Sequence, residues 1–250
     1  MLKKSMLLLS IFVLSLLCIF SACKKGQTVK KITVGTDATW PPMEFMDEDR
    51  NIIGFDIDIL KAAAQEGGFE VEFINQPWEG LFKELDTGKY DAIIASVTIT
   101  DERKQKMDFS IAYVDVGQII VVKKDSSVTE FSQLEGKKVG TLISTTGTDE
   151  VRKNKKIILK EYDEIELGIN DLVNSRIDAV VCDSPIAANY VLQNHKYKLI
   201  LKMAGDIFAA EQYGVAVKKG NTELLELINN GLRKVQEKGI DKELEGKWLR

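Results

Sequence analysis

Over 250 residues, 38 acidic side chains outnumber 34 basic ones, giving a formal net charge of −4. An acidic chain is poorly matched to nucleic acid, whose phosphates need a basic surface, so no nucleic-acid partner is expected. With one histidine, His195, and three cysteines, a histidine-based metal site, a Ser–His–Asp relay and a disulfide framework are all disfavoured. No metal, cofactor or catalytic residue is expected.

The chain starts with Lys3 and Lys4, an apolar run from Met6 to Phe20, and the small pair Ser21–Ala22 before Cys23. This is the order of a secretory signal over residues 1–22, and the run is short for a spanning helix, which needs roughly 20 residues. A retained membrane anchor is the alternative. Cys23 after the small pair resembles a bacterial lipobox, in which it would become the lipid-bearing first residue; Phe20 stands where that motif usually has leucine. Cleavage would remove two lysines and move the net charge from −4 to −6. Cys18 would leave with the signal, Cys182 would stand alone, and residues 23–30 form a polar tether.

Next, "KITVGTD" reads as a strand ending at Asp37, and "FDIDILKAAAQEGG" as a helix stopped by Gly67–Gly68. "FEVEFIN" alternates Phe69, Val71 and Phe73 against Glu70 and Glu72, as a strand does. "WEGLFKELDTG" predicts a second helix and "YDAIIAS" a buried strand. Beyond it, Ser96, Thr98 and Thr100 alternate with Val97 and Ile99, which extends the strand with one polar face. The order β-α-β-α-β calls for a parallel sheet with crossover helices. "LDTGKYDAII" from Leu85 is echoed by "LVNSRIDAVV" from Leu172, so a second α/β unit follows. "YVDVGQIIVVKK", Tyr113–Lys124, reads as a long strand between the units, and "AEQYGVAV", Ala210–Val217, as a second crossing. The chain closes with an amphipathic helix carrying Leu224, Leu227, Ile228 and Leu232 on one face, then a short helix in "DKELEGKWL". Two lobes crossed twice imply a hinge with a cleft, and ligands of parallel sheets gather outside the carboxyl ends of the strands. Those ends are Asp37, Ala95–Thr98, Leu142–Thr146 and Cys182–Asp183.

The segments "GTDATWPPMEF", "GFDIDI", "WEGLF", "YDAIIASVTITDERKQKMDFS", "GKKVGTLISTTG", "RIDAVVCDSP" and "YGVAVKKGN" resemble, in order and spacing, the polar amino-acid substrate-binding proteins of ABC importers, solute-binding family 3. The resemblance covers Ile32 to the C-terminus. It implies the two-lobed, type II periplasmic-binding-protein-like fold, each lobe a mainly parallel sheet flanked by helices. Lobe 1 would hold residues 31–113 and 214–250, and lobe 2 residues 114–213, with hinge strands at about 113–118 and 208–213. It further implies an exported, lipid-anchored monomer that binds a free L-amino acid and delivers it to a membrane permease. The rival reading is an arogenate or prephenate dehydratase on the same scaffold, which would need a positioned general acid.

An amino acid presents a carboxylate, an ammonium and a side chain. Arg103 suits the carboxylate because a guanidinium fork meets two oxygens, against the bland alternative of a solvated helix charge. The resemblance adds Thr98, Thr145 and Thr146 on the carboxylate, although threonine at a helix start is also an ordinary cap. Asp183, with Ser96 assisting, suits the ammonium. The resemblance places Trp40 and Trp78 over and under the ligand side chain and Asp37 at its tip, where indoles and a carboxylate favour a cation. Leu142 brings no competing cation, whereas some glutamine-binding relatives carry lysine there. Arginine or lysine is therefore expected ahead of glutamine or other polar amino acids, and glutamate last. Pro41–Pro42, the lysine run at 153–156, His195 and Cys182 read as structural or solvated.

Overall fold

The computed structural model describes residues 29–249. The expected signal peptide, the lipid-bearing Cys23 and all but the last two tether residues lie outside the described residues. In chain order the strands and helices are β1 (Lys30–Thr36), β2 (Thr39–Trp40), β3 (Glu44–Met46), β4 (Ile52–Ile53), α1 (Phe55–Gly67), β5 (Phe69–Asn75), α2 (Trp78–Thr87) and β6 (Ala92–Ile93). They continue with α3 (Asp101–Lys106), β7 (Met107–Phe109), β8 (Val114–Lys123), β9 (Lys138–Leu142), α4 (Thr146–Lys153), β10 (Ile158–Tyr162), α5 (Ile165–Val173) and β11 (Ala179–Asp183). Last come α6 (Ser184–Ala188), β12 (Leu201–Tyr213), β13 (Ala216–Lys218), α7 (Thr222–Glu237) and α8 (Ile240–Trp248).

Two five-stranded sheets result, in the orders β5-β1-β6-β13-β7 and β10-β9-β11-β8-β12. Each is the centre of a lobe. They are mixed rather than mainly parallel. β1 and β6 run parallel, as do β9 with β10 and β11. β13 is antiparallel to both β6 and β7, and β8 is antiparallel to both β11 and β12. The antiparallel members are the strands that cross between lobes or follow a crossing.

The hinge is a two-stranded ribbon: Val114 pairs with Tyr213 and Gln118 with Ala209, and both strands run on into the second sheet. The sequence 96–100 does not continue β6. Ser96 takes a left-handed φ of 51°, and beyond it only the single bridge Thr98–Tyr213 forms, against the second hinge strand. Ile99 N–H donates to Gln212 O at 2.8 Å and Gly214 N–H to Val97 O at 3.1 Å. The polar face predicted for this stretch is therefore tied to the hinge.

Local stops follow the sequence. Gly68 ends α1 in the left-handed conformation with its amide on Ala64 O, the usual glycine termination. Leu224, Ile228 and Leu232 of α7 are buried, with Leu227 at the margin. Gly231 lets α7 lie on the backbone of α1, since a Cβ there would come within 2.2 Å of Ala63 O. Gly54 has a similar duty. At φ 132° and ψ −179° it occupies a region essentially closed to other residues, and a Cβ would fall 2.1 Å from Met43 O. That turn brings Phe55 N–H to Pro42 O at 3.0 Å and Asp56 N–H to Met43 O at 2.9 Å. The start of α1 is thereby locked beside β3. One apolar cluster, including Val34, Ile94, Tyr113, Tyr213 and Val180, runs through both lobes. Among the described residues, no helix is long and apolar enough to cross a membrane.

Candidate ligand cavity

All ten residues proposed for the site, Asp37, Trp40, Trp78, Ser96, Thr98, Arg103, Leu142, Thr145, Thr146 and Asp183, line one cavity between the lobes. Glu44 and Ala95 complete the lining, and the cavity holds about 370 Å³ of empty space, part of it open to solvent. The reason is topological: most of these residues sit at or just past a strand end facing the other lobe, and Arg103 reaches the cavity from α3.

Arg103 is the third residue of α3, whose first turn is capped by the Thr100 hydroxyl accepting from Arg103 N–H at 3.1 Å. Its Nη1 donates to Thr98 O at 2.9 Å, and its guanidinium carbon lies 5.5 Å from the ring centres of both Trp78 and Phe82. Those rings pack edge to face at 4.9 Å. Arg103 makes no ion pair among the described residues. A cation held in place by carbonyl and π faces, with its other donors unpaired, is poised for an anion. Burial alone pulls its pKa down, and the negative charges of Glu211, Asp183 and Asp149 act in the opposite direction.

This arrangement changes the expected role of Trp78. Its indole face supports Arg103, while its buried Nε1–H has no hydrogen-bond partner. Asp37 is also engaged within the protein. One oxygen accepts from Trp78 N–H at 2.9 Å, the first amide of α2, and the other from Thr39 Oγ1 at 2.9 Å. Burial raises its pKa against those two bonds.

The threonine hydroxyls differ from expectation too. Thr98 Oγ1 and Thr146 Oγ1 donate to the same oxygen of Glu211, at 2.8 and 3.0 Å, and lie 3.4 Å from each other across the lobes. Thr145 Oγ1 donates to Leu142 O at 2.7 Å while capping α4. A hydroxyl has one proton to give. The donors left over for an anion are therefore the Arg103 guanidinium and the leading amides of α4, which have no intrahelical acceptor.

Asp183 ends β11, 7% exposed, and accepts from Gln118 Nε2. Burial, reinforced by the charge of Glu211, pushes its carboxyl up to about 7. Cys182 beside it is buried with its thiol pKa raised by burial, the state of an inert packed cysteine.

Sequence reasoning missed Glu44, Gln118 and Glu211. Gln118 and Glu211 face each other across the hinge ribbon, with Gln118 Nε2 3.3 Å from Glu211 Oε1. A lone amide inside the apolar run "VDVGQIIVV" was the available signal for the first. Glu44 pairs with Trp40 across β2 and β3 and is 1% exposed. A carboxylate between Met43 and Phe45 was its signal.

Comparison with known proteins locates this cavity in a wider group. Residues 32–250 match the family model of bacterial extracellular solute-binding proteins, family 3. A probable histidine-binding protein of Neisseria gonorrhoeae is 36% identical over 233 residues, covering 92% of this chain and 87% of that protein. An ancestral arginine-binding protein solved with arginine is 41% identical with a TM-score of 0.82, covering 88% of this chain and 98% of that one. The arginine-, lysine-, histidine-binding protein ArtJ of Geobacillus stearothermophilus is 37% identical with a TM-score of 0.81, over 88% and 95% of the two chains.

Proposed function

We propose that this chain, which belongs to the bacterial extracellular solute-binding proteins, family 3, binds a free L-amino acid between its lobes and hands it to an ABC-transporter permease. The observation that carries this reading is the unpaired, π-clamped Arg103 in the same cavity as Asp183. One is a donor fork for a carboxylate, the other an acceptor for an ammonium, and each comes from a different lobe. A zwitterion joins them, so binding and lobe closure become one event. In the closed cleft the ligand carboxylate also competes with Glu211 for the protons of Thr98 and Thr146.

The side chain would meet Trp40, Leu142, Asp37 and Glu44. Two carboxyl groups and an indole favour a cationic tip, so arginine or lysine is the expected ligand, ahead of glutamine, with glutamate excluded by like charge. Relatives named for arginine, lysine and histidine support that order. Titrating ligand-free protein with each amino acid by calorimetry tests it. Glutamine binding more tightly than both arginine and lysine would overturn the choice.

One feature supports an enzymatic alternative: a cleft carboxyl titrating at about 7, Asp183, has the property a general acid needs. Turnover of arogenate to phenylalanine would replace the transport reading.

Export and anchoring belong to the same proposal, through cleavage after Ala22 and acylation of Cys23. Anchoring needs more than one acyl chain, because a single chain gives only marginal membrane binding. Label from a fatty-acid analogue is expected on the wild-type protein and absent from Cys23→Ala; equal labelling of both would exclude it.

A further inference from the structure

We propose that Glu44, which meets Asp56 at Ser96 in the wall of the ligand cavity, distinguishes cationic from neutral amino-acid side chains by releasing a proton when a cationic one binds. This rests on the amino-acid reading above.

The geometry starts at Gly54, whose turn seats the first residues of α1 on the carbonyls of Pro42 and Met43 and so sets Asp56 behind Glu44. Asp56 is fully buried, and Glu44, 1% exposed, stands between it and the cavity. Ser96 joins the two carboxyl groups, its N–H reaching Asp56 and its hydroxyl reaching Glu44. Two buried carboxyls gathered on one residue cannot both ionise cheaply, so the pair keeps one proton in the ligand-free protein.

The surrounding donors decide which residue carries it. Asp56 Oδ2 accepts from Ser96 N–H at 2.7 Å and from the Tyr113 hydroxyl at 2.9 Å. Glu44 receives only the Ser96 hydroxyl, at 3.2 Å. Two good donors hold Asp56 as the anion, with its Oδ1 buried and without a hydrogen-bond partner, so the proton of the pair sits on Glu44. Burial pushes both carboxyls up, Asp56 to about 6 and Glu44 well beyond the carboxylate range, where the charges of Asp56 and Asp37 add to the effect.

The titratable groups around Glu44 are Asp56 from α1, Asp37 from the end of β1 and Tyr113 ahead of β8. Arg103 from α3 and Asp183 from β11 share its cavity. The lobe-1 wall thus offers two carboxyls, Asp37 and Glu44, and no cation beyond Arg103, which is engaged by Trp78, Phe82 and the Thr98 carbonyl. A guanidinium or ammonium tip entering there supplies the missing positive charge, Glu44 ionises, and its proton leaves to solvent. A neutral amide instead accepts from the protonated Glu44, and the proton stays.

Calorimetry at about pH 8 in two buffers of different ionisation enthalpy counts the protons, with Asp183 already ionised for every ligand. About one proton should be released per arginine or lysine bound, and close to none for glutamine. Glu44→Gln should abolish the release with arginine. Arginine binding with no more release than glutamine would overturn the proton exchange while leaving the amino-acid reading intact. Release that persists in Glu44→Gln would overturn it by assigning the proton elsewhere. Failure of arginine and lysine to bind at all would overturn the cationic-ligand reading itself, and this inference with it. The wild-type comparison of arginine with glutamine stands even if Glu44→Gln does not fold.

Discussion

Arg103→Ala is expected to lose amino-acid binding by about two to nearly four orders of magnitude while keeping the fold. The loss corresponds to severing one partner of a buried ion pair, on the order of 3–5 kcal/mol, at tenfold per 1.4 kcal/mol. In the free protein the guanidinium has no carboxylate partner, so removing it leaves no orphaned anion behind. What it does remove is packing against Trp78 and Phe82, which lie 5.5 Å from it. Some thermal stability should go with it. Arg103→Lys should rescue poorly. A point charge has neither the fork that meets two oxygens nor the flat face that packs against the two rings. Calorimetry giving near-wild-type affinity for Arg103→Ala would return this residue to an ordinary helix charge and remove the carboxylate end of the site.

Asp183→Asn should be the second large loss, about 2–5 kcal/mol in binding, because the ligand ammonium would be buried against a neutral amide. Its pH profile identifies the cause. In the ligand-free protein burial and Glu211 push Asp183 up to about 7. The ammonium binds the ionised form, so above about 7 binding displaces no proton from Asp183. Below it each unit of pH should weaken binding by up to about tenfold as a proton occupies the acceptor. Affinity for glutamine, which leaves the Glu44 proton in place, therefore falls towards acid, and in Asp183→Asn that dependence should flatten. A wild-type affinity that rises or stays level from about pH 8 to about pH 5 would show that Asp183 does not receive the ammonium.

Glu211 explains why the threonines did not behave as their motif suggested. From the sequence, Thr98 and Thr146 are hydroxyls at strand ends near an arginine, and nothing nearby in the chain claims their protons. In the fold, Glu211 sits on the second hinge strand, 113 residues from Thr98 and 65 from Thr146, and accepts from Thr98 of one lobe and Thr146 of the other. The same strand removed the expected polar strand at 96–100, pairing it through one bridge instead.

The sequence by itself determined what depends on neighbours along the chain. The alternation in "FEVEFIN" made β5, the glycine pair after "KAAAQE" ended α1, and the apolar spacing of Leu224, Ile228 and Leu232 chose the buried face of α7. The two-lobed α/β arrangement and the clustering of strand-end residues at one cleft followed from element order and from motifs of fixed spacing. The tertiary structure alone decided which polar atoms are already engaged. Trp78 was committed to Arg103, Asp37 to the first amide of α2, and the threonine protons to Glu211 and Leu142 O. It also brought a glutamate from "PPMEF" and an aspartate from "GFDIDI" together on Ser96. Hydrogen bonding is short-ranged and saturable: whether a donor or acceptor is free for a ligand depends on partners the fold brings from distant positions, and no local pattern encodes that.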